Sequence, residues 1–162
     1  MAAEYEGTVE QVHRAFSDEQ YWLVRLQDSG ADEASLDEMV IGADGGIRVR
    51  TTQTLRSDRL PAVVTQFHRG DLSFVREETW TPVRDGQASA VVTGSIPGAP
   101  VGLTGDLSLS PTTASGSRLA VQAAVEVRIP LVGGKVEKLI AQDIQSKAAS
   151  DLAQTRAMLA NY

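Results

Sequence analysis

Few side chains in this sequence have chemistry to offer. It has two histidines, His13 and His68, and no cysteine. Imidazole titrates near neutral pH, so His68, within the irregular residues 60–70, is a candidate general acid or base at the mouth of a cavity. No carboxylate or nucleophile stands at a recognisable spacing from it. His13 lies beside the apolar face formed by Val9, Val12 and Phe16 and reads as a partly exposed structural residue. The absence of cysteine removes disulfides, thiolate ligands and thiol nucleophiles. Two isolated histidines do not make a transition-metal site. The expectation is a protein with no metal and no cofactor.

Residues 71–81 offer more. Successive side chains of a strand point to opposite faces, so Leu72, Phe74, Arg76, Glu78 and Trp80 share one face. If that face points inward, an Arg–Glu pair is partly buried among apolar neighbours. There the two charges would orient the polar end of a ligand or satisfy each other. The plainer alternative places both at a sheet edge or bonded to a neighbouring strand. Glu77 and Glu78 are adjacent, face opposite sides and cannot form a catalytic carboxylate pair.

Three other motifs dissolve on inspection. Gly133-Gly134-Lys135 lacks the Walker pattern, because Ile129 and Val136 occupy the positions that need Gly and Ser or Thr. It reads as a hinge, with Lys135 and Glu137 as solvated charges. Arg69-Gly70-Asp71 reads as a turn before a strand. Ser95 and residues 94–102 carry no nucleophile elbow.

The elements that hold these residues follow from periodicity. Residues 1–7 allow a first strand. Thr8 and Gln11 stand in the capping-box relation, and Asp18 restarts the pattern, giving two short helices that end near Ser29-Gly30. Residues 36–41 and 47–55 are strands joined by a glycine-rich turn. Residues 60–68 fit a short helix after Pro61 or an irregular lid. Strands at 71–81 and 87–96 flank an Arg84-Asp85-Gly86 turn, and 103–110 leads through a polar turn to 119–129. In that last strand every odd position is apolar. Pro130 ends it. Then Val136, Leu139, Ile140, Ile144, Ala148, Leu152, Thr155 and Leu159 recur at helical spacing. This helix would be roughly 40 Å long and most simply lies across a curved sheet.

The chain has 162 residues and a formal net charge of −6. Its length suits one domain, residues 1–162. The acidic balance and the lack of basic clusters count against nucleic acid and against a membrane surface. No apolar window is long enough for stable membrane insertion, and the N-terminus has no signal-peptide pattern. A soluble cytoplasmic protein is expected, with oligomeric state open.

The order of strand, two short helices, about six antiparallel strands and one long helix resembles the helix-grip layout of the START-like superfamily. That superfamily includes birch-pollen-allergen-like proteins, polyketide cyclases and lipid-transfer domains. The stretch from Ile129-Pro130-Leu131-Val132-Gly133-Gly134-Lys135-Val136-Glu137, with Thr79-Trp80 and residues 55–61, is similar to an actinobacterial family of unknown function, the DUF2505 group. The resemblance implies an α+β helix-grip fold: a curved antiparallel sheet of about six to seven strands around a long C-terminal helix.

Such a frame carries binders, enzymes and regulators alike. The first expectation is a non-enzymatic binder of a lipid-like or polycyclic hydrophobic small molecule, held between sheet and C-terminal helix. The candidate lining is Phe67, His68, Phe74, Arg76, Glu78, Trp80, Leu107, Val121, Val125, Leu139, Ile140, Ile144 and Leu152. The alternatives are a polyketide cyclase/dehydratase-like enzyme, with His68, Arg76 or Glu78 polarising a carbonyl, and a regulatory protein-interaction domain.

Overall fold

The computed structural model describes residues 1–66 and 68–127 and, in the C-terminal segment, the helical residues Glu137, Lys138, Ala141, Gln142 and Gln145. The elements run β1 (Ala2–Tyr5), α1 (Val9–Phe16), α2 (Glu19–Gln27), β2 (Glu33–Ile41), β3 (Ile47–Leu55), a 3-10 turn (Ser57–Arg59), α3 (Ala62–Thr65), β4 (Leu72–Trp80), β5 (Ala88–Ser95), β6 (Val101–Pro111) and β7 (Ser117–Val127). The expected long helix lies, apart from those five residues, outside the described part of the chain.

Local chemistry explains most boundaries. The Thr8 hydroxyl accepts from the Gln11 backbone while the Gln11 side chain accepts from the Thr8 N–H, so the capping box forms as expected. Asp18 caps α2 by accepting from Gln20 N–H. Asp85 and Gly86 both take positive φ, the requirement of the tight turn between β4 and β5. Residues 57–65 resolve the ambiguity of the 60–68 stretch: a 3-10 turn, then a four-residue helix that starts after Pro61.

All seven strands form one antiparallel sheet, ordered β1-β7-β6-β5-β4-β3-β2. Each of β2 to β6 pairs with the next strand in the chain, and β1 closes onto β7. Helices α1 and α2 pack on one face, here called the inner face. There Val12, Phe16, Tyr21 and Trp22 meet Ile47, Val49, Trp80, Leu107 and Leu109 in a continuous core. Phe16 stands at its centre, with ring centroids 5.0 Å from Trp80 and 5.2 Å from Tyr21. The outer face is polar, with Arg48 between Glu38 and Glu77 across three strands.

Candidate functional site

Strand β4 has β3 on one side and β5 on the other, so it is no edge strand. Its inner-face side chains are Leu72, Phe74, Arg76, Glu78 and Trp80. Register places Glu78 between Val49 and Val92, both buried. Arg76 lies between Thr51 and Gly94. A carboxylate among valines needs compensation, and Glu78, only 3% exposed, has it on both oxygens. Oε2 accepts from Arg76 Nη2 at 2.7 Å and Oε1 accepts from Trp80 Nε1 at 2.6 Å. Three alternate residues of one strand thus make a single hydrogen-bonded chain. The sequence favours a sheet-edge or cross-strand placement; β4 is an inner strand, and Arg76 and Glu78 pair with each other on its inner face.

Filling of the inner face changes along the strands. On the Trp80 side of Glu78 the rows are closed by α1 and α2, and Ile47, Trp80, Ala90, Leu107 and Leu109 are buried. On the Phe74 side, Leu55, Leu72, Phe74 and Val125 are half-buried, and Ala123 is exposed, although Leu103 and Val127 remain buried. Arg76 sits at this boundary, its side chain 27% exposed. Small residues line the strip beside it. A Cβ on Gly94 would collide with Cζ of Phe74, so the bare backbone of β5 is what lets that ring approach so closely.

The other candidates divide. Trp80 and Leu107 belong to the closed core, and Phe74, Val121 and Val125 are half-buried on the inner face. Alternation in β7 therefore predicts direction correctly but overstates burial, since Ala123 is exposed on the apolar side. His68 is not joined to the Arg76–Glu78 chain: its Nε2 meets the Asp71 carbonyl at 2.9 Å, within the turn before β4. His13 is structural but more buried than expected, with Nε2 2.9 Å from the Thr81 carbonyl, where it ties α1 to the end of β4. Phe67, Leu139, Ile140, Ile144 and Leu152 lie outside the described residues, as does the Gly133-Gly134 hinge. Glu137 corrects an expectation: it is no merely solvated charge, because its carboxylate accepts from Val127 N–H at 3.0 Å and covers a backbone donor at the end of β7.

Thr51, Val49, Val92, Gly94 and Gly105 surround the charge pair and were not picked out in sequence. The period-2 pattern of β3 and β5 carries the signal for their face. Only cross-strand register brings them to Arg76 and Glu78. The end of the sheet beyond Phe74 is pinned by charge. Asp32 accepts from the Arg56 N–H at 2.8 Å and from Arg59 at 2.9 Å, and these contacts hold its carboxyl below the ordinary value of 3.8. Asp71 accepts from Ser57 N–H, closing the base of the loop that carries α3. Among the described residues no three His, Cys, Asp or Glu gather as a metal site would require, and no helix is long and apolar enough to cross a membrane.

A seven-stranded antiparallel sheet with two short helices on its inner face and strand order β1-β7-β6-β5-β4-β3-β2 is a helix-grip-like fold. Two solved structures share it at low sequence identity. One is a START superfamily protein from Mycobacterium smegmatis, with TM-score 0.55 and 16% identity over 98% of this chain and 96% of that one. The other is Ara h 8.0201, with TM-score 0.54 and 10% identity over 100% and 96%. The chain belongs to the family described as protein of unknown function (DUF2505), whose profile matches residues 1–159. Relatives 52% identical over 145 residues, 86% of this chain and 83% of theirs, are uncharacterised proteins of Mycobacterium tuberculosis and Mycobacterium bovis.

Proposed function

We propose that this protein binds a hydrophobic small molecule on the inner face of its sheet, beside Arg76. The observation that carries the reading is the change in filling along that face. Apolar side chains beyond the Glu78 row, Leu55, Leu72, Phe74 and Val125, keep part of their surface accessible although they face the helices' side of the sheet. A ligand that covered them would gain about 25 cal/mol per Å² of apolar area. The START-like frame supports the reading, since birch-pollen-allergen-like and lipid-transfer proteins are built on it.

Binding is favoured over catalysis by the state of the polar groups. Both oxygens of Glu78 accept hydrogen bonds from its own strand, so neither is poised to take a proton from a substrate. His68 is engaged by a turn carbonyl. Acting as a carrier in the cytoplasm accords with a cysteine-free, acidic chain.

The test is a titration of isotope-labelled protein with a fatty acid, a sterol and a flavonoid, followed by amide chemical shifts. Saturable shifts at Phe74, Arg76, Gly94 and residues 119–127 support an inner-face site. If all three leave these resonances in place, the site is filled or absent and the reading fails.

A further inference from the structure

We infer that residues 56–66 form a strap that opens and closes as one unit at the Phe74 end of the sheet, with Asp32 as its latch. What the strap admits rests on the binding reading above; the strap itself stands on its own contacts. Leu55 and Leu72 are cross-strand partners in β3 and β4. The segment between them is therefore anchored at both stems on one pair of residues. It springs from the end of the sheet where Leu55, Leu72 and Phe74 are only half-buried. Little apolar area holds it down. Of its described side chains none is buried, and only Leu60 and Val64 are half-buried. Neither the 3-10 turn nor the four-residue α3 has a side-chain cap, whereas α1 and α2 both do. A single uncapped helical turn has no stability of its own. A segment with so few buried contacts opens at lower cost than the sheet that carries it.

Polar contacts hold it instead. Asp32, 10% exposed, accepts from the Arg56 N–H at 2.8 Å, from Arg56 Nη2 at 3.3 Å and from Arg59 Nη1 at 2.9 Å. Arg59 Nη1 also donates to the Gly30 carbonyl at 3.0 Å, so the 3-10 turn is tied to the chain entering β2. From the other stem, Asp71 accepts from the Ser57 N–H at 3.0 Å. Both arginine side chains keep much of their surface in water, so their bonds to Asp32 exchange for hydration at small cost. Contacts of this kind fix a closed position without making it permanent. A ligand held against Leu72 and Phe74 would enter and leave while the strap is open.

The test is amide hydrogen exchange of the full chain at pH 7, read at Ser57 and Gln66. These amides bond to Asp71 and to Ala62, not to Asp32. Asp32→Asn and, separately, Arg59→Gln should each speed exchange at both sites about tenfold, the loss of one charge-assisted bond within a half-exposed pair. Gly116→Ala, at the opposite end of the sheet, should speed exchange at Val49 and Val92 in the central strands and leave Ser57 and Gln66 unchanged. Retained protection at Val49 shows that each latch variant is folded. If Gln66 ignores both latch variants, or if Ser57 and Gln66 follow Gly116→Ala, there is no latched strap and the inference falls. Whichever of the fatty acid, sterol and flavonoid binds should dissociate faster from Asp32→Asn by the same factor; an unchanged bound lifetime overturns the gating role. Binding by none of the three removes the carrier reading and leaves the exchange result to decide the strap.

Discussion

Replacing Glu78 by Gln removes the anion that Arg76 faces while leaving an oxygen to accept from Trp80 Nε1. The Coulomb and hydrogen-bond energy of the pair goes, but the cost of keeping Arg76 partly out of water stays. Breaking a buried ion pair from one side costs about 3–5 kcal/mol. Arg76 retains water on 27% of its side chain, which brings the cost below that range, to about 2–3 kcal/mol. Adding Arg76→Leu to the same protein removes the second charge and supplies apolar volume. The double variant should therefore recover about 1–2 kcal/mol relative to Glu78→Gln alone, although it has lost one more native side chain. Urea unfolding at pH 7 measures this, with Trp22 and Trp80 as fluorescent reporters inside the core. Equal m values are needed for the comparison to report stability. A double variant less stable than the single one would refute the reasoning. So would a single variant within about 0.5 kcal/mol of the natural chain, the range of an ordinary surface change.

Three further outcomes are expected. A Cβ at residue 116 would sit 2.2 Å from the Tyr5 carbonyl, so Gly116→Ala should push β1 from β7 and cost about 2–3 kcal/mol, read as a lower urea midpoint and faster amide exchange in residues 2–5. Gly94→Ala should displace the Phe74 ring, whose Cζ lies where the new methyl must go. The ring is half-buried and can turn outward, so the stability loss should stay near 1 kcal/mol while ring-current shifts around Leu103 change. Asp32 has a depressed folded-state pKa, so the stability it adds is fully present above its unfolded value of 3.8 and is lost as pH falls through the folded value. Denaturant unfolding between pH 6 and 2 should show Asp32→Asn missing that part of the acid-side slope; identical slopes would contradict the Asp32–Arg56–Arg59 clamp.

Much of this protein was legible before any coordinates. Thr8 with Gln11, Asp18, and Asp85-Gly86 place element boundaries because caps and turns are decided by neighbours a few residues apart. Period-2 alternation assigns faces in β3 to β7 for the same local reason, and it put Arg76 and Glu78 on one side of β4. What it cannot supply is register. That Glu78 lies between Val49 and Val92, and Arg76 beside Gly94, depends on pairing strands that are some 15 to 30 positions apart in sequence. Burial is likewise a property of the assembly. The same alternating pattern gives a sealed core at Trp80, under α1 and α2, and a half-open surface at Phe74 and Ala123. Nor could spacing show that Glu137 reaches back to the Val127 N–H, or that both Glu78 oxygens are already spoken for within β4. Residue types and short-range periodicity determined the parts list and the direction each side chain faces. Tertiary packing alone decided which charges met and how far water was excluded around them: Arg76 meets Glu78 where the buried rows under α1 and α2 give way to the half-buried Leu72, Phe74 and Val125.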